Sequence, residues 1–288
     1  MIAITGSTGH LGRLVIEDLL DRGVAPSELV ATARSPENAA DLADRGVEVR
    51  EADYSKPDTL ASAFKGVDHL LLISSSEVGQ RAQQHRNVID AADEHGVDVL
   101  AYTSMLRADT SPMQLASEHR ATEEYIRESD LPFVLLRNGW YIENYTEQLG
   151  QALDRGAFIG SAGDGRISGA TRADYAAAAA TVLTTDGHEG AVYELGGDEA
   201  FTMNDLAEVV TELSGTNVVY RDLPAEEYEQ ALVEAGLPAD FAAVLADSDQ
   251  GIADGHLYTE SDDLRRLIGR PTTPLKEAIA AALDARDG

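Results

Sequence analysis

Gly6, Gly9 and Gly12 recur at three-residue intervals in "ITGSTGHLG", directly after an apolar run and before an amphipathic one. Between a strand and a helix this spacing lets the backbone turn tightly, approach a pyrophosphate closely and pack helix on sheet, with the phosphate at the helix's positive end. The chemistry predicted is dinucleotide binding; a purely structural glycine turn is the alternative. The next apolar run ends "VATARSP", where NAD-preferring sites carry an acid to hold the ribose 2′-hydroxyl. No acid lies between Leu29 and Ser35, and Arg34 stands there instead. A planar guanidinium suits a 2′-phosphate, so NADP(H) is preferred, unless Arg34 is a solvated residue at a helix entrance.

Two further sites follow the same pattern. "ADYS" places Asp53 where its carboxylate could accept from the adenine amino group or cap the next helix. "ISSSEVGQR" places Ser74, Ser75 and Ser76 where their hydroxyls could line the nicotinamide ribose, cap the next helix, or do both.

The elements that must position these residues alternate along the chain. Strands are predicted at 1–5, 28–33, 47–52, 68–74, 97–104 and 132–137, with helices at about 10–23, 36–45, 57–65, 78–95 and 115–129. Alternation of this kind predicts an α/β, doubly wound parallel Rossmann sheet ordered 3-2-1-4-5-6. Beyond Arg137 the pattern loosens. Residues 1–150 read as the NADP-binding domain and 151–288 mainly as a smaller C-terminal substrate lobe, with part of 172–197 returning to the sheet through a strand near 190–197. Thr171 with Asp174 and Thr202 with Asp205 have capping-box spacing, and Pro274 is placed to open the last helix.

Composition excludes several function classes. The 288 residues carry 22 basic and 51 acidic side chains, a formal net charge of -29, and just three of the bases are lysine (Lys56, Lys65, Lys276). Such a field repels nucleic acid and anionic membrane, which are bound mainly by neutralising phosphate. An acidic, lysine-poor surface suits a salt-rich, halophilic cytoplasm; GC-rich codon bias is the other account. With no cysteine there is no disulfide, no thiolate metal site and no cysteine nucleophile, and no metal is expected. An opening strand and the lack of a long apolar run predict a cytoplasmic protein without membrane insertion.

Taken together, "ITGSTGHLG", "LLLISSSEVGQR", "YTSM", "LLRNGWYIENY", "AGDGRI" and "TRADYAAAAA" resemble the NmrA-like branch of atypical short-chain dehydrogenases, and within it the type 2 NAD(P)H:quinone oxidoreductases. The likeness extends to "LADSDQG" and "IGRPTTPL" near the C-terminus. It implies NADPH held by Gly6, Ser7, Thr8, Gly9, His10, Leu11 and Gly12, by Arg34, by the Ser74–Ser76 turn, and by the loop containing Asn138, Gly139, Trp140 and Tyr141. It also implies a small lobe closing a quinone site.

One departure from the wider superfamily bears on mechanism. Ordinary short-chain dehydrogenases carry a Tyr-x-x-x-Lys pair after the fifth strand, with a serine at that strand's end. Ser104 is present, but "LASEHRATEEYI" puts Leu115 in the tyrosine position and His119 in the lysine position. Quinone reduction needs a proton donor less than ketone reduction does, because hydride delivery forms an aromatic quinol anion that water can protonate. Trp140, Tyr141 and Tyr145 could wall the acceptor, with packing between lobes as the other role of Trp140 and Tyr141, and Asn144 could donate to a quinone oxygen. The catalytic candidates are therefore Asn144, Tyr141, His119 and Ser104, although His119 also fits a packed or surface helix position. The reading is an NADPH-dependent quinone reductase acting on a small-molecule quinone, as monomer or homodimer. A non-catalytic NADP(H)-sensing regulator of the NmrA type is the alternative, followed by a sugar-nucleotide or isoflavone-type reductase.

Overall fold

The computed structural model describes residues 1–287. Its first half runs β1 (Ile2–Ile4), α1 (His10–Asp21), β2 (Leu29–Ala33), α2 (Ala40–Asp44), β3 (Glu48–Glu51), α3 (Pro57–Ala63), β4 (His69–Leu72), α4 (Arg81–Glu94), β5 (Val99–Met105), α5 (Gln114–Glu128) and β6 (Phe133–Asn138). All five residues of β2 are buried, because a parallel strand covered by helices on both faces has no solvent side. In α1, Leu11, Val15, Ile16 and Leu19 form the buried stripe that seats the helix on the sheet. The segment predicted as a helix over 36–45 splits into a 3-10 turn at Pro36–Ala39 followed by α2. The helix predicted from 78 begins at Arg81, since Gly79 at φ +85° lies in the left-handed region.

The second half contains α6 (Glu143–Thr146), α7 (Leu149–Arg155), β7 (Ala157–Gly160), α8 (Arg172–Thr184), β8 (Val192–Leu195), α9 (Met203–Ser214), β9 (Val219–Asp222), α10 (Ala225–Glu234), α11 (Ala239–Ala253), α12 (Asp263–Ile268) and α13 (Leu275–Asp287). Seven parallel strands are ordered β3-β2-β1-β4-β5-β6-β8, so the predicted six-strand order is extended at one edge by β8, which pairs with β6 from Leu135↔Val192 to Asn138↔Leu195. Helix α8 returns to the sheet and packs against α1; its run of alanines lets it approach closely on nearly all sides. Both predicted caps form: Thr171 Oγ1 accepts from Asp174 N at 3.2 Å, and Thr202 Oγ1 from Asp205 N at 3.1 Å.

Two cores cover the faces of the sheet, one beneath α1 and α8, the other beneath α3, α4 and α5. A third core lies in the lobe built from α6, α7, α9, α11 and α13 around a two-stranded parallel sheet, β7 with β9. That small sheet was not predicted, because "AFIG" and "VYRD" are four-residue runs whose pairing spans about 60 residues of sequence.

Candidate functional site

A cleft of about 660 Å³ runs along the carboxyl edge of the sheet. Gly6, Thr8, Gly9, His10, Leu11 and Gly12 line one end. Gly6 adopts φ +58°, and a Cβ on Gly12 would stand 2.5 Å from the Gly6 carbonyl oxygen and 2.8 Å from Ser7 Cα. These two glycines are therefore dictated by backbone shape. Helix α1 begins at Gly9 with no side-chain cap and no acid in its first turn, leaving its first N–H groups open to an anion in the cleft. This fits a pyrophosphate. The expectation for Ser7 is corrected: its fully buried hydroxyl donates to the Thr32 carbonyl at 2.9 Å, so it fixes the turn and does not line the cleft.

At the β2 side Arg34 is largely exposed and lines the cleft, with its Nη1 2.8 Å from Glu77 Oε1. Asp53 lines it too; its carboxylate accepts from Ser55 N at 2.9 Å in the turn ahead of α3 and does not cap that helix, whose N-cap is Lys56 with no side-chain cap. That hydrogen bond, reinforced by Lys56 at 3.1 Å, holds the carboxyl below its ordinary range.

The Ser74–Ser76 turn lines the middle of the cleft. Its shape is set from α4. Ser75 N–H donates to His85 Nε2 at 2.9 Å, Ser75 Oγ donates to Gln84 Oε1, and Arg81 Nε donates to the Ser75 carbonyl at 2.7 Å. Because His85 Nε2 accepts from a backbone amide, the proton sits on Nδ1, which faces Thr122 Oγ1 at 2.9 Å. Burial holds this ring neutral, its pKa lowered to about 3. Sequence reading missed these three supports. Their signal was available, since Arg81, Gln84 and His85 share the helical face of the buried Val88, Ile89 and Ala92.

At the far end stand Tyr141 and Arg172. The Arg172 guanidinium lies 5.3 Å from the centre of the Tyr141 ring, reaches Glu147 Oε1 at 2.5 Å, and places Nη2 3.4 Å from Asn144 Oδ1. Arg172 was not singled out from sequence. Its signal is a cation in the first turn of α8, where the helix dipole disfavours positive charge. Its place on the cleft wall is the compensating use.

Other expectations need correction. Ser104 does not line the cleft; its hydroxyl donates to Glu123 Oε1 at 2.6 Å, and Glu123 is gripped bidentately by the buried Arg137 at 2.9 and 2.6 Å. The buried His119 packs between α5 and the sheet, where Nδ1 lies 2.7 Å from the Tyr102 hydroxyl, and burial drives its pKa well below the ordinary value. Neither is placed to exchange a proton with a ligand in the cleft. Asn138 and Gly139 also lie off its wall. Gly139 is pressed against Ser168 and Leu195 carbonyls, so a Cβ there would stand 2.8 and 3.0 Å from them.

Trp140 likewise leaves the cleft and lines a second cavity, of about 500 Å³, in the small lobe. Asn144 and Tyr145 line it as well, so the aromatic wall is divided: Tyr141 faces the cleft, Trp140 and Tyr145 the cavity. Leu115, in the position of the superfamily's tyrosine, also lines this cavity. The side chain on that wall is a hydrocarbon. No group of three or more metal-ligating side chains occurs among the described residues.

Residues 6–186 match the family described as NAD(P)H-binding. The chain is 54% identical to quinone oxidoreductase 2 of Escherichia coli (strain K12) over 280 residues, covering 97% of this chain and 98% of that protein. It is 30% identical over 294 residues to an NmrA-like family domain-containing oxidoreductase of Aspergillus flavus, covering 97% of this chain and 94% of the other. A crystal structure of an Escherichia coli NADPH-dependent quinone oxidoreductase complexed with NADPH superimposes with a TM-score of 0.95 at 53% identity, covering 98% of this chain and all of that one.

Proposed function

The chain belongs to the NAD(P)H-binding, NmrA-like family, and from that premise we infer its chemistry: it is an NADPH-dependent quinone reductase. The observation that carries this is agreement with the Escherichia coli quinone oxidoreductase along nearly the whole chain, both lobes included. NADPH supplies a hydride, two electrons and one proton's worth of hydrogen. A quinone accepts it and takes one further proton to become the hydroquinone, and NADP⁺ leaves.

The residues divide this work between two spaces. Gly6, Gly9 and Gly12 with the open end of α1 take the pyrophosphate, Arg34 the 2′-phosphate, and Asp53 the adenine amino group. The Ser74–Ser76 turn takes the ribose nearer the reacting ring. Tyr141 and Arg172 close that end. We place the quinone in the small-lobe cavity, between Trp140 and Leu115, with the Asn144 amide donating to a quinone oxygen; Asn144 Oδ1 faces Arg172, which orients that amide. Catalysis here is chiefly positioning of a flat acceptor. With Leu115 on the wall and both Ser104 and His119 turned into the fold, the proton comes from water. No helix among the described residues is long and apolar enough to cross a membrane, and the charge of -29 disfavours nucleic acid. The proposal is a cytoplasmic enzyme acting as monomer or homodimer.

The test is loss of reduced-nicotinamide absorbance when purified protein and NADPH meet a quinone or a simple ketone. Turnover with the quinone and a rate lower by about 10² or more with the ketone is expected, since a ketone requires the positioned acid that Leu115 replaces. Failure to oxidise NADPH with any quinone, in dilute buffer or molar salt, would overturn the reading in favour of an NADP(H) sensor.

A further inference from the structure

The small-lobe cavity contains a feature that reduction of a plain quinone does not use. Asp249, on α11, lines the cavity together with Tyr145, Phe158, Tyr228 and Phe241. Its carboxylate accepts a single hydrogen bond, from Ser161 N at 2.7 Å, and no arginine or lysine pairs with it among the described residues. A carboxylate withdrawn from water is strongly disfavoured unless a cation or several donors face it. Asp249 is partly buried, and the same wall carries a buried polar group without a partner: Tyr145 is nine-tenths buried and its hydroxyl has no hydrogen bond. A carboxylate in a cavity also lined by aromatic side chains suits an organic ammonium ion, because ring quadrupoles and carboxylate attract the same charge.

We propose that Asp249 is a specificity residue, anchoring the ammonium end of an acceptor whose flat, reducible end lies against Trp140 and Asn144. This rests on the cavity being the acceptor site, as argued above. The redox step is unchanged: hydride passes from NADPH to the quinone carbonyl system, water supplies the remaining proton, and the ammonium group takes no part in electron transfer. The overall charge of -29 concentrates such cations around the molecule. The groups facing Asp249 are Tyr145 from α6, Tyr220 and Asp222 from β9, and Tyr228 from α10, none of them cationic. Arg155 lies on the cavity wall but is exposed and makes no ion pair with Asp249. Burial raises the Asp249 pKa to about 6, with Asp222 adding to the rise, so the anchor is largely charged at neutral pH and discharged near pH 5.

The experiment compares two quinones with the same alkyl arm, one ending in trimethylammonium and the other in its neutral tert-butyl analogue. At pH 7.5 the wild type is expected to show a KM for the cationic quinone lower by on the order of tenfold. Asp249→Asn, which keeps an acceptor for Ser161 N–H, should abolish the difference by raising the KM for the cationic quinone to that for the neutral one. The preference should also fade from pH 7.5 to pH 5 in the wild type and be absent at both in the variant. Equal KM values in the wild type, or a preference that survives Asp249→Asn, would overturn the proposal while neutral-quinone turnover left the reductase reading intact. Calorimetric titration with phenyltrimethylammonium needs no turnover: binding lost in Asp249→Asn supports the anchor, and equal binding or none in both proteins overturns it.

Discussion

Arg34 Nη1 lies 2.8 Å from Glu77 Oε1, tying the loop after β2 to the loop after β4 across the mouth of the cofactor cleft. Glu77 is held from behind, its Oε2 accepting from Gln84 Nε2 at 2.8 Å. A 2′-phosphate that takes the remaining N–H groups of Arg34 would sit beside this carboxylate and be repelled by it.

Two substitutions at this pair should move cofactor affinity in opposite directions. Arg34→Ala removes charge-assisted hydrogen bonds worth about 1.5–3 kcal/mol, so NADPH should bind roughly tenfold or more weakly while NADH changes little. Glu77→Gln keeps the link to Gln84 but removes the competing charge, and should tighten NADPH severalfold. Fluorescence titration of both variants with both nucleotides checks this. Equal NADPH and NADH affinity in the wild type would remove Arg34 from the role.

Arg172 predicts a loss confined to ligand binding. It reaches Glu147, Asn144 and the Tyr141 face from the cleft wall. Arg172→Gln should raise the KM for NADPH about tenfold or more and lower quinone turnover by releasing Asn144. Thermal stability should change little, because the lost partner, Glu147, is more than half exposed. Steady-state kinetics alongside a melting curve separates the two effects.

Stability should fall between neutral and mildly acidic pH. His85 and His119 are held neutral, with pKa values of about 3 and well below the ordinary 6.5. Below pH 6.5 the unfolded chain takes up protons that the native fold refuses, so this contribution is complete above 6.5 and is lost as pH falls. Well below 6.5 each histidine removes up to about 1.4 kcal/mol per pH unit. Asp249 acts in the opposite sense, since its pKa is raised from 3.8 to about 6, and it offsets part of the loss between those values. Urea denaturation at pH 7.5 and pH 5 should show the drop, and His119→Gln should reduce its slope while leaving quinone turnover within a fewfold of the wild type. A His119→Gln loss of turnover beyond 10² would make the histidine a catalytic acid after all.

Salt should stabilise the protein. With a net charge of -29, screening relieves repulsion among carboxylates that the compact state crowds together, so Tm should rise substantially from dilute buffer to molar KCl. A flat response by differential scanning calorimetry would leave codon bias as the better account of the composition.

Patterns local in the chain were legible before any coordinates. The alternation of apolar runs and amphipathic segments determined a parallel sheet, and the spacing of Gly6, Gly9 and Gly12 with Arg34 after the second strand singled out residues that line one cleft at its carboxyl edge. Hydrophobic period and glycine geometry act within a few residues, so they survive without tertiary context. The direction of individual side chains did not. Ser104 and His119 carry suitable chemistry at suitable positions, yet one is drawn to Glu123 beneath Arg137 and the other to Tyr102. Ser7 turns to Thr32, and Trp140 and Tyr141, neighbours in sequence, face different spaces. Asp249 acquires its meaning from Ser161, Tyr145 and Tyr228, brought to it from three other segments. The order of elements follows from periodic patterns written into the chain, whereas the partner of a buried polar group depends on which distant donor or acceptor tertiary packing delivers.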